Sequence, residues 1–320
     1  MITISLCMIV KNEEKILARC LDSIASLMDE IIIVDTGSTD STKEIAKCYT
    51  DQVYDFKWVD DFSAARNESF RYATKDYIYV ADADEVLDEV NRARFAQLKE
   101  NILPEIEIVQ MKYCNQLQFG TAYNFDEEYR PKLYKRLRQF LWTEPVHEMV
   151  RLDPIIYDSE IEIMHLPEQV HSGRDFATFQ KQIRKGLRLS KRLHHMYAME
   201  LYISGEDKDF LEAEPFFQGS TDDPQRSLDE IKEASCVVAR AARIRGDSHQ
   251  LLKMSLKDIA SEGSAEMCCE LGQYFMDQGD YEEAKMWFYN AAHETSAILC
   301  LRYARELPEA KLDELDGGIK

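Results

Sequence analysis

The sequence predicts an α/β domain with a mainly parallel sheet and an antiparallel edge, followed by an all-α region. Three observations carry this. Over the first hundred residues, short apolar β-rich runs alternate with segments of helical periodicity. From about Glu105, strand-like runs follow one another with only turns between them. The last third is helical throughout and repeats a pattern of small and aromatic residues.

Thr3–Val10 is the first apolar run, with Lys11-Asn12-Glu13-Glu14 directly after it; without a basic leader it reads as a strand rather than a signal peptide. Glu13–Leu27 follows as a helix with Ile16, Leu17, Cys20, Leu21 and Ile24 on one face. Ile31–Val34 is a second strand, closed by Asp35-Thr36-Gly37-Ser38-Thr39-Asp40, and a helix starts near Ser41, capped by Ser41 or Asp40. A short strand is expected around Gln52–Asp55, a helix over Phe62–Ala73, and a fourth strand over Tyr77–Ala81. Such alternation implies right-handed crossovers and a sheet covered on both faces. Ligands then bind at the carboxyl ends of the strands, where Val10, Asp35 and Asp82 all lie.

Beyond Glu105, Ile106–Tyr113, Lys132–Leu137 and Glu160–Met164 read as strands, with Pro131 suiting a strand start or edge. A helix begins around Arg174, with Phe176, Phe179, Ile183 and Leu187 as its apolar seam and cations on its other faces, read as a solvated surface. In Ala265–Ala292, residues Leu271, Gly272, Phe275, Gly279, Tyr281, Ala284, Phe288 and Ala291 stand at the offsets of a tetratricopeptide repeat, with Cys268 and Ser296 at the tryptophan and proline positions. Gly246 and Gly205 mark degenerate earlier copies, since one hairpin cannot bury its own apolar face. Domain limits of 1–172 and 173–320 follow.

Composition excludes several classes. A net charge of −20 argues against nucleic acid as a partner. No run of about 18 apolar residues exists to span a membrane. Eight scattered cysteines without a C-x-x-C pair speak against a disulfide framework and zinc, and fit a reduced, cytoplasmic setting.

The chemistry concentrates where the fourth strand ends. Asp82 and Asp84 point to the same side of an extended chain, and two crowded carboxylates repel unless a cation joins them. Oxygen ligands suit Mg²⁺ or Mn²⁺, which commonly bridge protein carboxylates to substrate phosphates. This makes a candidate metal–diphosphate site.

Leu6–Glu14, Val34–Asp40, Phe62-Ser63-Ala64-Ala65-Arg66-Asn67, Val80–Glu85, Arg130–Tyr134, Val146-His147-Glu148 and a later His165 together resemble the family-two inverting glycosyltransferases of the GT-A, Rossmann-like fold, over about residues 1–170. With helical repeats behind them, they look most like bacterial peptide and protein glycosyltransferases, including the sublancin-type S-glycosyltransferases. The resemblance implies transfer from a nucleotide-sugar donor, commonly UDP-activated, with Mn²⁺ or Mg²⁺, and donor contacts at Val10, Glu13, Asp35, Arg66, Asp82 and Ala83. Asp35 would accept from uracil or ribose, or else only cap the following turn. Arg66 would meet the base or the diphosphate, or else lie on the surface. Asp82 would take the ribose or a metal-bound water, and Asp84 the metal. Glu148 is the expected catalytic base, with Asp126 and Glu127 in reserve, and His147 on the opposite side of an extended segment. The resemblance implies His165 as the second metal ligand, with His171 as substitute; His-Leu-Pro departs from the usual histidine-small-glycine pattern. One cation of Arg130–Arg136 faces the diphosphate or the acceptor.

The competing readings are a nucleotidyltransferase and a non-catalytic repeat scaffold. The former lacks its glycine-rich loop here; the intact Asp82, Asp84 and Glu148 argue against the latter. The acceptor is a peptide or protein, or a cell-envelope glycan or lipopolysaccharide precursor, and the helical region is a candidate homodimer surface.

Overall fold

The computed structural model describes residues 1–114, 128–150, 153–167, 172–260 and 262–317. The reserve residues Asp126, Glu127 and His171 lie outside them. The chain forms two compact units, residues 1–171 and 172–320.

In the first unit the alternation is β1 (Ile4–Val10), α1 (Leu17–Ile24), β2 (Glu30–Asp35), α2 (Thr42–Lys47), β3 (Val53–Asp55), α3 (Phe62–Tyr72) and β4 (Tyr77–Val80). There follow β5 (Glu85–Val86), α4 (Glu89–Asn101), β6 (Ile108–Cys114), β7 (Glu128–Lys135), β8 (Trp142–Thr143), β9 (Met149–Val150) and β10 (Ile156–His165). The strand period sorts side chains cleanly. Ile4, Leu6, Met8, Ile33, Tyr77 and Tyr79 join α1 in the core on one face, while Cys7, Ile32, Ile78 and Val80 pack on the other with Phe140 and Trp142. The five apolar residues expected on the first helix are all buried, although the helix begins at Leu17 and residues 11–16 form turns. The cap of α2 comes from Asp40, whose Oδ1 accepts from the Thr42 N–H at 3.1 Å; Ser41 makes no side-chain cap.

Among the described residues the main sheet runs β3-β2-β1-β4-β7-β6-β10-β5, and β8 and β9 form a separate hairpin. The pairs β3-β2, β2-β1, β1-β4 and β6-β10 are parallel; β4-β7, β7-β6 and β10-β5 are antiparallel. The expected antiparallel edge is present as β5 on β10, but the other antiparallel pairs, on both sides of β7, are not at an edge. β5 departs to pair with β10, and β7, paired antiparallel with β6, fills the place beside β4. Pro131 is not at an edge either. It pairs with Gln110 next to a register shift, beyond the last residue of β7 that pairs with β4, so its missing N–H costs no bond there.

The second unit contains α5 (Ser172–Arg184), α6 (Lys191–Ser204), α7 (Asp207–Asp222), α8 (Leu228–Arg245), α9 (Ser248–Ile259), α10 (Ala265–Asp277), α11 (Tyr281–His293) and α12 (Glu306–Gly317). Phe176 and Phe179 are buried as expected, but Leu187 is exposed. The helix has already ended, and Gly186, at φ 85°, turns the chain so that Leu189 is buried instead. Of the cations expected on that helix, Arg184 at its end pairs with Glu212 of α7, while Arg188 and Lys191 lie beyond it and pair with Asp223 and Asp229.

The 33-residue spacing of Gly246 and Gly279 is one turn used twice. Both glycines are left-handed (φ 74° and 77°). The next residues, Asp247 and Asp280, send their N–H back to Ala242 and Phe275 and cap the following helix with their side chains. Gly272 serves close approach: a Cβ there would come within 2.9 Å of the Phe288 ring. Gly205 is not a third copy. Its φ is −71°, and it is required because a Cβ would meet the Leu201 carbonyl oxygen at 2.6 Å. Among the described residues no helix is long and apolar enough to cross a membrane, and no disulfide forms.

Candidate active site

β1 and β2 end in register, Val10 against Asp35, and the turns after them interlock. The Val10 carbonyl accepts from the Thr36 N–H (2.9 Å) and hydroxyl (3.1 Å), which ties the two turns together. Asn12, in left-handed conformation, accepts from the Thr39 N–H at 2.8 Å, and the Glu13 N–H donates to the Thr42 hydroxyl at 2.7 Å. Asp35 both caps the turn and keeps an open acceptor. Its Oδ2 takes the N–H groups of Gly37 and Ser38, each at 3.0 Å, and its buried Oδ1 has no hydrogen-bond partner among the described residues.

β4 stops at Val80, so the expected strand alternation does not govern residues 81–84, and the two carboxylates take different partners. Asp82 accepts from Arg66 Nη2 on α3, at 3.1 Å to Oδ1. Burial alone would raise its carboxyl pKa, but the Arg66 and Lys132 charges outweigh it and hold the group well below the usual carboxylate range. Ala83 is buried between the pair. Asp84 Oδ2 lies 3.2 Å from His165 Nε2 at the end of β10, while Asp84 Oδ1 is buried without a partner among the described residues. The ring of Tyr113 lies 5.0 Å from that of His165, centroid to centroid.

Glu148 is the last residue of the loop between β8 and β9. That loop is not extended: Glu144 and His147 have φ of 74° and 47°, so no strand alternation places His147 opposite Glu148. Nor is Glu148 an exposed edge carboxylate. Its side chain is 12% exposed and accepts from Arg66 Nε.

Sequence reasoning missed the buried pair beneath the acidic turn, Lys132 with Glu85. Of the cations in Arg130–Arg136, Lys132 reaches the acidic cluster, whereas Arg130 stacks over Tyr113 at 3.9 Å and pairs with Glu128. Burial pushes the Glu85 carboxyl up to about 7 against the pull of Lys132. A lysine inside a central strand was the available signal, since it needs a buried anion. An open cavity of about 460 Å³ lies elsewhere, against α4 and β10, and contains none of these residues.

Asp84 and His165 supply an oxygen and an imidazole nitrogen within reach of one ion, and the unpartnered Oδ1 adds a second oxygen. This donor set fits Mn²⁺ or Mg²⁺ completed by substrate phosphates. Among the described residues there is no group of three or more metal-ligating side chains, so such an ion would depend on that completion.

The family model for Glycosyl transferase family 2 matches residues 5–151. A TPR repeat-containing protein of Synechococcus elongatus is 49% identical over 87 residues, 27% of this chain and 22% of that protein. The SPbeta prophage-derived glycosyltransferase SunS of Bacillus subtilis is 41% identical over 99 residues, 30% of this chain and 23% of SunS. The matches thus span about a quarter of these relatives' length. The lipopolysaccharide core biosynthesis glycosyltransferase LpsC of Rhizobium meliloti is 28% identical over 198 residues, 51% of this chain and 70% of LpsC. Among solved structures, glucosyl-3-phosphoglycerate synthase from Mycobacterium tuberculosis, with Mg²⁺ and UDP, superposes with a TM-score of 0.42 at 18% identity, covering 59% of this chain and 81% of that one. Residues 5–151, which carry Asp35, Arg66, Asp82, Asp84 and Glu148, thus match the model of a family 2 glycosyltransferase domain.

Proposed function

We propose that the chain is a metal-dependent inverting glycosyltransferase that moves a sugar from a UDP-activated donor, with residues 1–172 as the catalytic domain and 173–320 as a repeat domain. The observation that carries this is the pairing of Asp84 with His165 beside the Asp82–Arg66–Glu148 cluster. Asp35 would accept from the uracil or ribose through Oδ1, and Val10, Glu13 and Ala83 would shape the nucleotide's bed. Asp84 and His165 would hold Mn²⁺ or Mg²⁺, which supplies neutralisation of the charge that develops on the leaving diphosphate.

In a single displacement the acceptor's nucleophilic atom bonds to the anomeric carbon from the face opposite the diphosphate. The bond between that carbon and the phosphate oxygen breaks, and the electron pair leaves with the diphosphate. Glu148 receives the acceptor's proton. A positioned base of this kind contributes roughly 10²–10⁴ in rate.

The acceptor we favour is a peptide or protein, supported by the repeat turn at Gly246 and Gly279, since stacked helical hairpins present concave surfaces to extended chains. The match to LpsC supports a second reading, a cell-envelope glycan acceptor. The test is a panel of nucleotide sugars with Mn²⁺, scored for hydrolysis of the donor and for transfer to peptides or to lipopolysaccharide core fragments. A panel on which no donor is consumed or bound sinks the proposal.

A further inference from the structure

One guanidinium serves both halves of the candidate site. Arg66 Nη2 donates to Asp82 at 3.1 and 3.5 Å, and Arg66 Nε donates to Glu148 Oε1. The arginine is only 11% exposed, and its Cζ lies 5.2 Å from the centroid of the Trp142 ring. Asn67, the next residue on α3, holds the Trp142 backbone by both its carbonyl (3.0 Å) and its N–H (2.8 Å). At the start of the same helix the Phe62 N–H donates to the Pro145 carbonyl at 2.9 Å. The α3 helix thus anchors both the arginine and the hairpin that brings in Glu148.

This arrangement is closed with respect to the chemistry. A base must aim a carboxylate lone pair at the acceptor, yet Glu148 Oε1 is aimed at Arg66. The same guanidinium lies beside Asp82, next to the residues that would hold the metal and the diphosphate. Phosphate oxygens accept from a guanidinium in bidentate fashion and compete well with a single carboxylate contact. We propose that Arg66 is a positioning residue that couples donor binding to release of the base: the donor diphosphate takes the guanidinium from Glu148, and Glu148 then turns its carboxylate to the acceptor. This rests on the sugar-transfer reading above. It means that Glu148 competes with the donor for Arg66 and holds acceptor activation back until the donor is seated.

The competition gives an unusual sign. Glu148→Gln keeps the shape but removes the charge that retains Arg66. It should tighten binding of UDP in the presence of Mn²⁺ by about five- to ten-fold, the size expected when one arm of a coupled ion-pair network is cut. Arg66→Ala should weaken binding, and Arg66→Lys should recover part of it. In the Arg66→Ala background the gain from Glu148→Gln should disappear. The measurement is calorimetric titration of the full chain with UDP and Mn²⁺, with far-UV circular dichroism to confirm that each variant is folded. Unchanged or weaker UDP binding by Glu148→Gln overturns the coupling while leaving the donor reading intact. A gain that persists without Arg66 also overturns it, because plain charge repulsion then explains the effect. Failure of the unaltered chain to bind UDP and Mn²⁺ overturns the donor reading and the coupling together.

Discussion

Asp84 and His165 stand 3.2 Å apart across 81 residues of sequence, joined because β5 and β10 pair in register with His165 opposite Glu85. That contact places a carboxylate and an imidazole where a divalent ion can be shared with substrate phosphates. Asp84→Ala should therefore abolish the rise in melting temperature that Mn²⁺ and UDP give together, a rise expected of any ligand selective for the folded state. Turnover of a nucleotide sugar should fall by about 10²–10³-fold, as when one electrostatic stabiliser of a transition state is removed. His165→Ala should instead raise the Mn²⁺ concentration needed for half-maximal stabilisation. An Asp84→Ala variant that keeps the full Mn²⁺-dependent shift would take Asp84 out of the metal site.

Directly beneath lies a charge pair with almost no access to water. The side chains of Lys132 and Glu85 are 6% and 3% exposed, and Glu85 Oε2 has no hydrogen-bond partner among the described residues. Removing one member of such a pair leaves an uncompensated buried charge and costs about 3–5 kcal/mol, whereas an apolar pair of similar volume is often neutral. Lys132→Met should thus destabilise the first unit by that amount in urea unfolding, and Lys132→Met with Glu85→Leu should restore most of it. A single substitution that costs nothing would show that Glu85 takes up a proton and needs no partner.

These two relationships also show where the sequence was readable and where it was not. The runs that became β1, β2 and β4 announce themselves because each is buried on both faces and ends in a polar turn, and the acidic residues at those ends locate the site. Which strand lies beside β4 is a tertiary decision, so the antiparallel place of β7 inside the sheet leaves no mark in its own residues. The contact of Arg66 with Glu148 spans 82 residues and leaves no local trace. Strand alternation puts Asp82 and Asp84 on the same side only while the chain stays a strand, and the strand ends at Val80. In the helical region, spacing found the turns at Gly246 and Gly279 because both need a left-handed residue, and misled at Gly205, where glycine answers a steric demand instead.

A pH dependence follows from Asp258, in α9 and 1% exposed. Burial pushes its carboxyl up to about 6 from 3.8, against the pull of Lys232 and of Ser264, whose hydroxyl lies 3.0 and 3.1 Å from the two oxygens. Between these two values the unfolded chain has lost a proton that the folded chain keeps. The folded state binds more protons there, so stability falls as pH rises. The contribution is fully present below about pH 4 and gone above about pH 6, a loss of about 3 kcal/mol at most. Asp258→Asn should flatten this part of the profile and make the variant the more stable protein at pH 7.5. Urea midpoints at pH 4.5 and 7.5 read the difference; parallel profiles for the two proteins would rule out a titrating Asp258.

The repeat reading is tested most sharply at Gly272. Its hydrogen faces the Phe288 ring between α10 and α11, and a methyl group there would lie 2.9 Å from two ring carbons, closer than van der Waals contact allows. Phe288 is fully buried and cannot swing into solvent without opening a void. Gly272→Ala would gain about 1 kcal/mol of helix propensity at an open site. Here overpacking should dominate and cost about 1–3 kcal/mol net. Phe288→Leu alone should also destabilise, by creating a cavity. Combined, the two changes should cost less than their sum, because the added methyl occupies part of the space that the ring vacates. Gly246→Ala offers the contrast: nothing lies within 4 Å of its Cβ position, so it should cost only the roughly 1–2 kcal/mol of a left-handed conformation, and Phe288→Leu should not relieve it. Thermal melts of the five variants decide this. If Gly272→Ala and Phe288→Leu prove additive, the two helices do not meet at this glycine.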